Sequence, residues 1–169
     1  MRTVLLFISV FFSLTAFSQI KISMPGDAKK TMTIKGELLG EMIRSTGGVD
    51  KKSEKYYYKI SDGSLTIWKH IHLLEEDNTE ALYITNIPLN DVDWAYFESS
   101  FPDGPTIKKS GGKEYHILSI NTQRGKRFKQ EKYFLDNDLA NVTVGYVDLN
   151  LNDKEAIQSF YTKFLAAKK

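Results

Sequence analysis

The stretch that decides the fold is Tyr56-Tyr57-Tyr58-Lys59-Ile60-Ser61-Asp62-Gly63-Ser64-Leu65-Thr66-Ile67-Trp68. Asp-Gly between two runs rich in aromatic and β-branched residues favours a two-residue type I′ loop, because both central positions of that turn need positive φ. Folding the chain about Asp62-Gly63 fixes a register. Ile60 meets Leu65 and Tyr58 meets Ile67 on one face, while Lys59, Thr66, Tyr57 and Trp68 share the other. The first face is apolar, as a face turned to a core must be.

Working outward, strand-like runs recur at 81–87, 92–97, 115–121, 127–134 and 142–149, separated by polar or Gly/Pro-containing turns. Seven strands at short spacing, counting the two of the hairpin, predict an antiparallel barrel or sandwich. Residues 31–35 could add a short strand. In 37–46, Leu38, Leu39, Met42 and Ile43 fall on one helical stripe ended by Gly47-Gly48, so a short helix is expected there. The lysine-rich stretch 50–55 reads as a connection, and 19–30, with Pro25 and Gly26, as an extended N-terminal arm.

The period changes once more at the C-terminus. Asn152-Asp153-Lys154-Glu155 has the form of a capping box, and Ile157, Phe160, Tyr161, Phe164 and Leu165 follow at i, i+3, i+4, i+7 and i+8. An amphipathic helix over 153–167 is expected, and its apolar face must find cover on the sheet. The chain from 31 to 169 is thus read as one α+β domain, mainly β.

Seven antiparallel strands followed by one terminal amphipathic helix resembles, in element order, the pleckstrin-homology-like superfold over roughly residues 55–168. The resemblance implies a curved barrel whose open corner is closed by the helix. Members that bind phosphoinositides use a basic loop between their first two strands. Here that connection is Ser61-Asp62-Gly63-Ser64, which has no cation, so the resemblance brings no lipid-headgroup site with it.

At the other end, Arg2 precedes the apolar run Val4-Leu5-Leu6-Phe7-Ile8-Ser9-Val10-Phe11-Phe12, which relaxes into small residues up to Ser18. A charged start, a short apolar run and a small-x-small end predict a secretory signal peptide over 1–18, and a periplasmic or extracellular address. The run is too short for a permanent membrane span. The chain has no cysteine, which excludes disulfides, thiolate metal sites and a thiol-linked lipid anchor. Setting Arg2 aside, 22 basic residues face 21 acidic ones, a balance that argues against nucleic acid as a partner.

Candidate chemistry is sparse. His70 and His72, at i and i+2 on a strand, share a face and with His116 would supply three zinc ligands for a metal-dependent hydrolase. They fall on the Trp68 face of the hairpin, where alternating polar residues on a solvated sheet look the same. Glu75-Glu76-Asp77 and Asp91-Val92-Asp93 lack a calcium-loop pattern. Lys109-Ser110-Gly111-Gly112-Lys113 lacks phosphate-loop spacing and precedes a strand. No nucleophile elbow, zincin helix or dinucleotide fingerprint is present, and no cofactor is expected.

The longest irregular stretch, 99–113, is where a partner surface is expected, with Phe101, Lys108, Lys109 and Lys113. Arg124-Gly125-Lys126-Arg127-Phe128-Lys129 reads as a basic hairpin tip. Arg124 and Arg127 there serve either contact with an anionic surface or protection of an exposed sheet edge. Asn141-Val142-Thr143 matches a glycosylation acceptor and carries no weight alone. The leading expectation is an exported, non-catalytic binding or interaction module with a protein or peptide partner. The alternatives are a carrier holding a small apolar ligand or lipid between barrel and helix, and the hydrolase at His70, His72 and His116.

Overall fold

The computed structural model describes residues 19–24, 27–46, 49–73, 80–101, 104–110, 112–134 and 139–168; the expected signal peptide lies outside them. The chain runs β1 (Gln19–Met24), β2 (Asp27–Lys35), β3 (Glu37–Thr46), β4 (Val49–Ser61), β5 (Ser64–Leu73), β6 (Glu80–Pro88), α1 (Trp94–Ser99), β7 (Thr106–Ser110), β8 (Lys113–Asn121), β9 (Phe128–Tyr133), β10 (Leu139–Val144), β11 (Tyr146–Leu151) and α2 (Lys154–Ala166). These strands make three antiparallel sheets: six strands in the order β10-β9-β6-β5-β4-β3, three in the order β11-β8-β7, and the pair β1-β2. The two larger sheets are curved without closing, a sandwich with a helix.

The β4-β5 hairpin has the register its sequence dictates. Ile60 pairs with Leu65, Tyr58 with Ile67 and Tyr57 with Trp68, about a turn in which Gly63 has φ 71°. Leu65, Ile67 and Tyr58 belong to the main core, with Leu118 and Ile120 of β8 and Leu149 and Leu151 of β11.

Asp153 caps α2, its Oδ1 accepting from the backbone N–H of Glu155 at 2.8 Å and of Ala156 at 3.1 Å. Ile157, Phe160 and Phe164 are fully enclosed. Phe160 meets Tyr58 edge-on at 5.0 Å, and Phe164 lies 5.0 Å from Trp94 and 5.1 Å from Phe97. Burying rings of this size contributes roughly 1.5–3 kcal/mol each, which fixes the helix on the sheets.

Several elements depart from the reading of the sequence. Residues 37–46 form β3 instead of a helix. A bulge between Leu38 and Gly40 makes Leu39 the extra residue, so Leu39 and Met42 turn inward while Leu38 is 59% exposed. One inserted residue converts a two-residue period into an apparent helical stripe. A Cβ on Gly40 would come within 3.1 Å of Leu151, so the glycine admits that packing.

Residues 92–97 were expected as a strand and instead enter α1. Asp93 accepts from the N–H of Tyr96 at 3.0 Å, Trp94 Nε1 donates to the Leu89 carbonyl at 3.0 Å, and Phe97 is thereby buried. Residues 50–55 are not a connection but the first half of β4. The predicted run 142–149 divides at Gly145, with β10 in one sheet and β11 in another.

The arm is also structured. Its residues enter β1 and β2, and Ile22 and Ile34 pack with Tyr57 and Leu82, beside Trp68 and Ile84. The Trp68 face is therefore a second, smaller core and not a solvated sheet face. No helix among the described residues is long and apolar enough to cross a membrane.

Candidate functional site

The inner face of the six-stranded sheet has two halves. One, around Tyr58, Leu65 and Ile87, lies in the aromatic core. On the other half the same two-residue period brings up Lys52, Glu54 and Tyr56 from β4, Lys69 and Ile71 from β5, Tyr83 and Thr85 from β6, and Gln130 from β9. β11 forms the opposite wall with Tyr146, Val147, Asp148 and Asn150, and a cleft of about 530 Å³ lies between them.

Glu54 is not itself part of the lining; it lies buried against three residues that are, Lys52, Lys69 and Tyr56. The carboxylate is 1% exposed, yet it sits 2.7 Å from Lys69 Nζ and 2.9 Å from Lys52 Nζ and accepts from Tyr56 Oη at 2.6 Å. Burial pushes its pKa up, but the charge and hydrogen bond of Lys69, with the bonds from Tyr56 and Lys52, outweigh that and bring it down to about 2. Tyr56 is pushed the other way, well above its ordinary value, by burial and by the neighbouring carboxylate.

Across the cleft, Asn150 Nδ2 donates to Tyr56 Oη at 3.3 Å, linking the two sheets at its base. Gln130 donates to Thr85 Oγ1 at 2.8 Å, and Ser119 donates to Asp148 at 2.5 Å. Lys69 lies 5.5 Å from the Tyr56 ring centre and Lys132 5.6 Å from that of Tyr83. Arg44 stands opposite Lys52 in the β3-β4 register. The wall is cationic with aromatic surface beside it.

This arrangement suits binding better than proton transfer. A carboxylate with a pKa of about 2 is a poor general acid near neutrality, and both its oxygens already face donors, which blunts it as a base. What Glu54 does well is hold two ammonium groups beside each other. Their side chains keep 28% and 27% exposure, so N–H donors remain for a ligand.

The residues singled out in the sequence are not gathered into one site. His70 and His72 project with Trp68 from the outer face of β5, while His116 is buried beside Leu118 and Ile120 on the core-facing side of β8. His116 thus lies on a different sheet from His70 and His72 and faces a different way. Among the described residues, no group of three or more His, Asp or Glu could hold a metal ion.

Phe101 is not on a partner surface. It is 7% exposed and stacks on Tyr161 at 4.1 Å. Residues 106–110 are a strand, so Lys108, Lys109 and Lys113 are exposed on the β7-β8 hairpin, where Lys109 pairs with Glu114 at 3.1 Å.

Arg124 and Arg127 are exposed too, but 124–127 is no hairpin tip. It carries the chain from β8 in one sheet to β9 in another, and β9 is an interior strand. Lys113 and Arg124 stand at opposite ends of β8, roughly 25 Å apart for a strand of this length, so the two basic groups are separate patches. The space between the sheets and α2 is filled by Trp94, Phe97, Phe101, Tyr161 and Phe164.

Glu54, Lys52 and Lys69 were missed, although the signal was there. Lys52, Glu54, Tyr56 and Tyr58 continue the hairpin's inner-face alternation back through the supposed connection. Compared with models of protein families, with curated proteins and with solved structures, the chain finds no match.

Proposed function

We propose that this chain is an exported, non-catalytic binding module whose ligand is a small polar molecule taken into the cleft between β11 and the inner face of the six-stranded sheet. The observation that carries the reading is the pair Lys52 and Lys69, both lining a cleft of about 530 Å³ and both held by the buried Glu54 carboxylate. A volume of that order suits a small ligand, and a few convergent polar groups on a partly apolar wall are what such sites use. Replacing a buried ion pair by apolar side chains often leaves stability unchanged or higher, so stability alone gives no reason for this cluster.

Two other readings find less support. A carrier of an apolar ligand between sheet and helix needs space that the aromatic rings fill. A partner held by the 99–113 segment loses its apolar anchor, because Phe101 is buried. Export rests on the N-terminal pattern of Arg2 and the apolar run that follows.

The test is a ¹⁵N–¹H NMR spectrum of the purified protein titrated with a mixed set of small organic fragments. Shifts gathered at Lys69, Tyr83, Thr85, Gln130 and Tyr146 are expected. Shifts gathered elsewhere, or none, would reject the cleft.

A further inference from the structure

We infer that the ligand of this cleft is a small organic anion, carrying carboxylate or phosphate oxygens held by Lys52 and Lys69 and a flat body laid against Tyr146. The inference rests on the binding reading above and adds the ligand's chemistry to it.

The first ground is the arrangement of charge. Lys52 binds Oε1 of Glu54 and Lys69 binds Oε2, so two ammonium groups are pinned to the two oxygens of one carboxylate. Each ammonium has three N–H donors. Each binds one Glu54 oxygen, which leaves donors for the cleft that both side chains line.

The second ground is the balance of charge. On the inner face Lys52, Lys69 and Lys132 stand against Glu54, and the opposite wall adds one carboxylate, Asp148. Arg44 adds a further cation next to Lys52. The face is left with positive charge in a concave, partly desolvated setting, where the attraction for an anion is stronger than on an open surface.

Preorganisation is the third ground. A flexible lysine loses side-chain freedom on gripping a ligand, and that loss weakens binding. Glu54 has fixed both lysines beforehand. The carboxylate, itself unreachable from solvent, therefore works as a positioning residue for the two ammonium groups.

The body of the ligand follows from the apolar part of the lining. Tyr146 is 61% exposed and lines the cleft, with Ile67 and Ile71 adding carbon surface on the lysine side and Val147 on the opposite wall. An exposed ring beside a cationic floor matches a flat molecule with an acidic group at one end.

The experiment is a calorimetric and NMR titration of the full protein with benzoate, phenyl phosphate, inorganic phosphate and uncharged benzamide, repeated at raised salt. Benzoate or phenyl phosphate is expected to shift cleft resonances and to bind at least about tenfold more tightly than benzamide. Added salt should weaken the charged probes alone. Inorganic phosphate binding as well as phenyl phosphate would keep the anion site and remove the contribution of Tyr146.

Lys69→Gln should weaken the anions about tenfold, and Tyr146→Ala, an exposed change without folding risk, should weaken the two aromatic anions but not inorganic phosphate. Benzamide binding in the cleft as tightly as benzoate would overturn the anion inference and leave the binding reading standing. No shift in the cleft with any probe would overturn both.

Discussion

Lys69 Nζ lies 2.7 Å from Oε2 of Glu54, a carboxylate of which only 1% remains exposed. Removing one partner of a buried ion pair leaves the other charged and uncompensated, which costs more than the pair itself contributes. Glu54→Gln should therefore destabilise the protein by about 3 kcal/mol in urea unfolding. A change under about 0.5 kcal/mol, the range of ordinary surface substitutions, would show that the lysines are solvated without it.

Acid should act through the same group. The folded-state pKa of Glu54, about 2, lies below its ordinary value of 4.5, so its contribution is fully present above about pH 4.5 and is lost as pH falls toward 2. A shift of this size corresponds to roughly 3 kcal/mol. Thermal unfolding from pH 6 to pH 2 should show the melting temperature falling through that window, with a smaller fall in Glu54→Gln.

The helix α2 holds the core through its rings. Phe160→Ala and Phe164→Ala should each cost roughly 3–5 kcal/mol in chemical denaturation, because each leaves a cavity among packed aromatics. Lys163→Ala removes an exposed ammonium that pairs with Glu37 at 3.1 Å and donates to Tyr58 Oη at 3.0 Å, and should cost less, about 1 kcal/mol.

Asn152 ties the two large sheets together. Its Oδ1 accepts from the N–H of Ile43 on β3 at 2.6 Å, its Nδ2 donates to the Glu114 carbonyl on β8 at 2.8 Å, and its own N–H donates to the Glu41 carbonyl at 3.1 Å. Asn152→Ala should lower stability by about 1–3 kcal/mol, since the Ile43 N–H loses its acceptor. Hydrogen exchange should show faster opening at Ile43 than at Ile67.

The parts of the fold legible in the sequence are those set by local chemistry. Asp62-Gly63 admits one tight turn and so fixes the β4-β5 register, and Asp153 with the Ile157-Phe160-Phe164 stripe defines α2. What stayed hidden depends on distant partners. The bulge at Leu39 takes meaning only against Tyr56 and Tyr57 on the next strand, and β1-β2 gains its structure by covering Trp68.

The cleft was illegible for a related reason. Lys52, Glu54 and Lys69 look like solvated charges until β4 and β5 pair and β11 covers them. Carried back from Tyr58 through the supposed connection, period-two alternation puts Glu54 on the same face, but no local signal says that β11 closes over that half of it.

The binding site depends on Glu54 being ionised and bound to the two lysines that line the cleft. Its side-chain carboxyl, followed by ¹³C NMR through a pH titration, measures this directly. The carboxyl should titrate near pH 2, well below the ordinary glutamate value of 4.5. A midpoint at or above 4.5 would contradict the paired carboxylate, and with it the lysine arrangement on which the binding site is built.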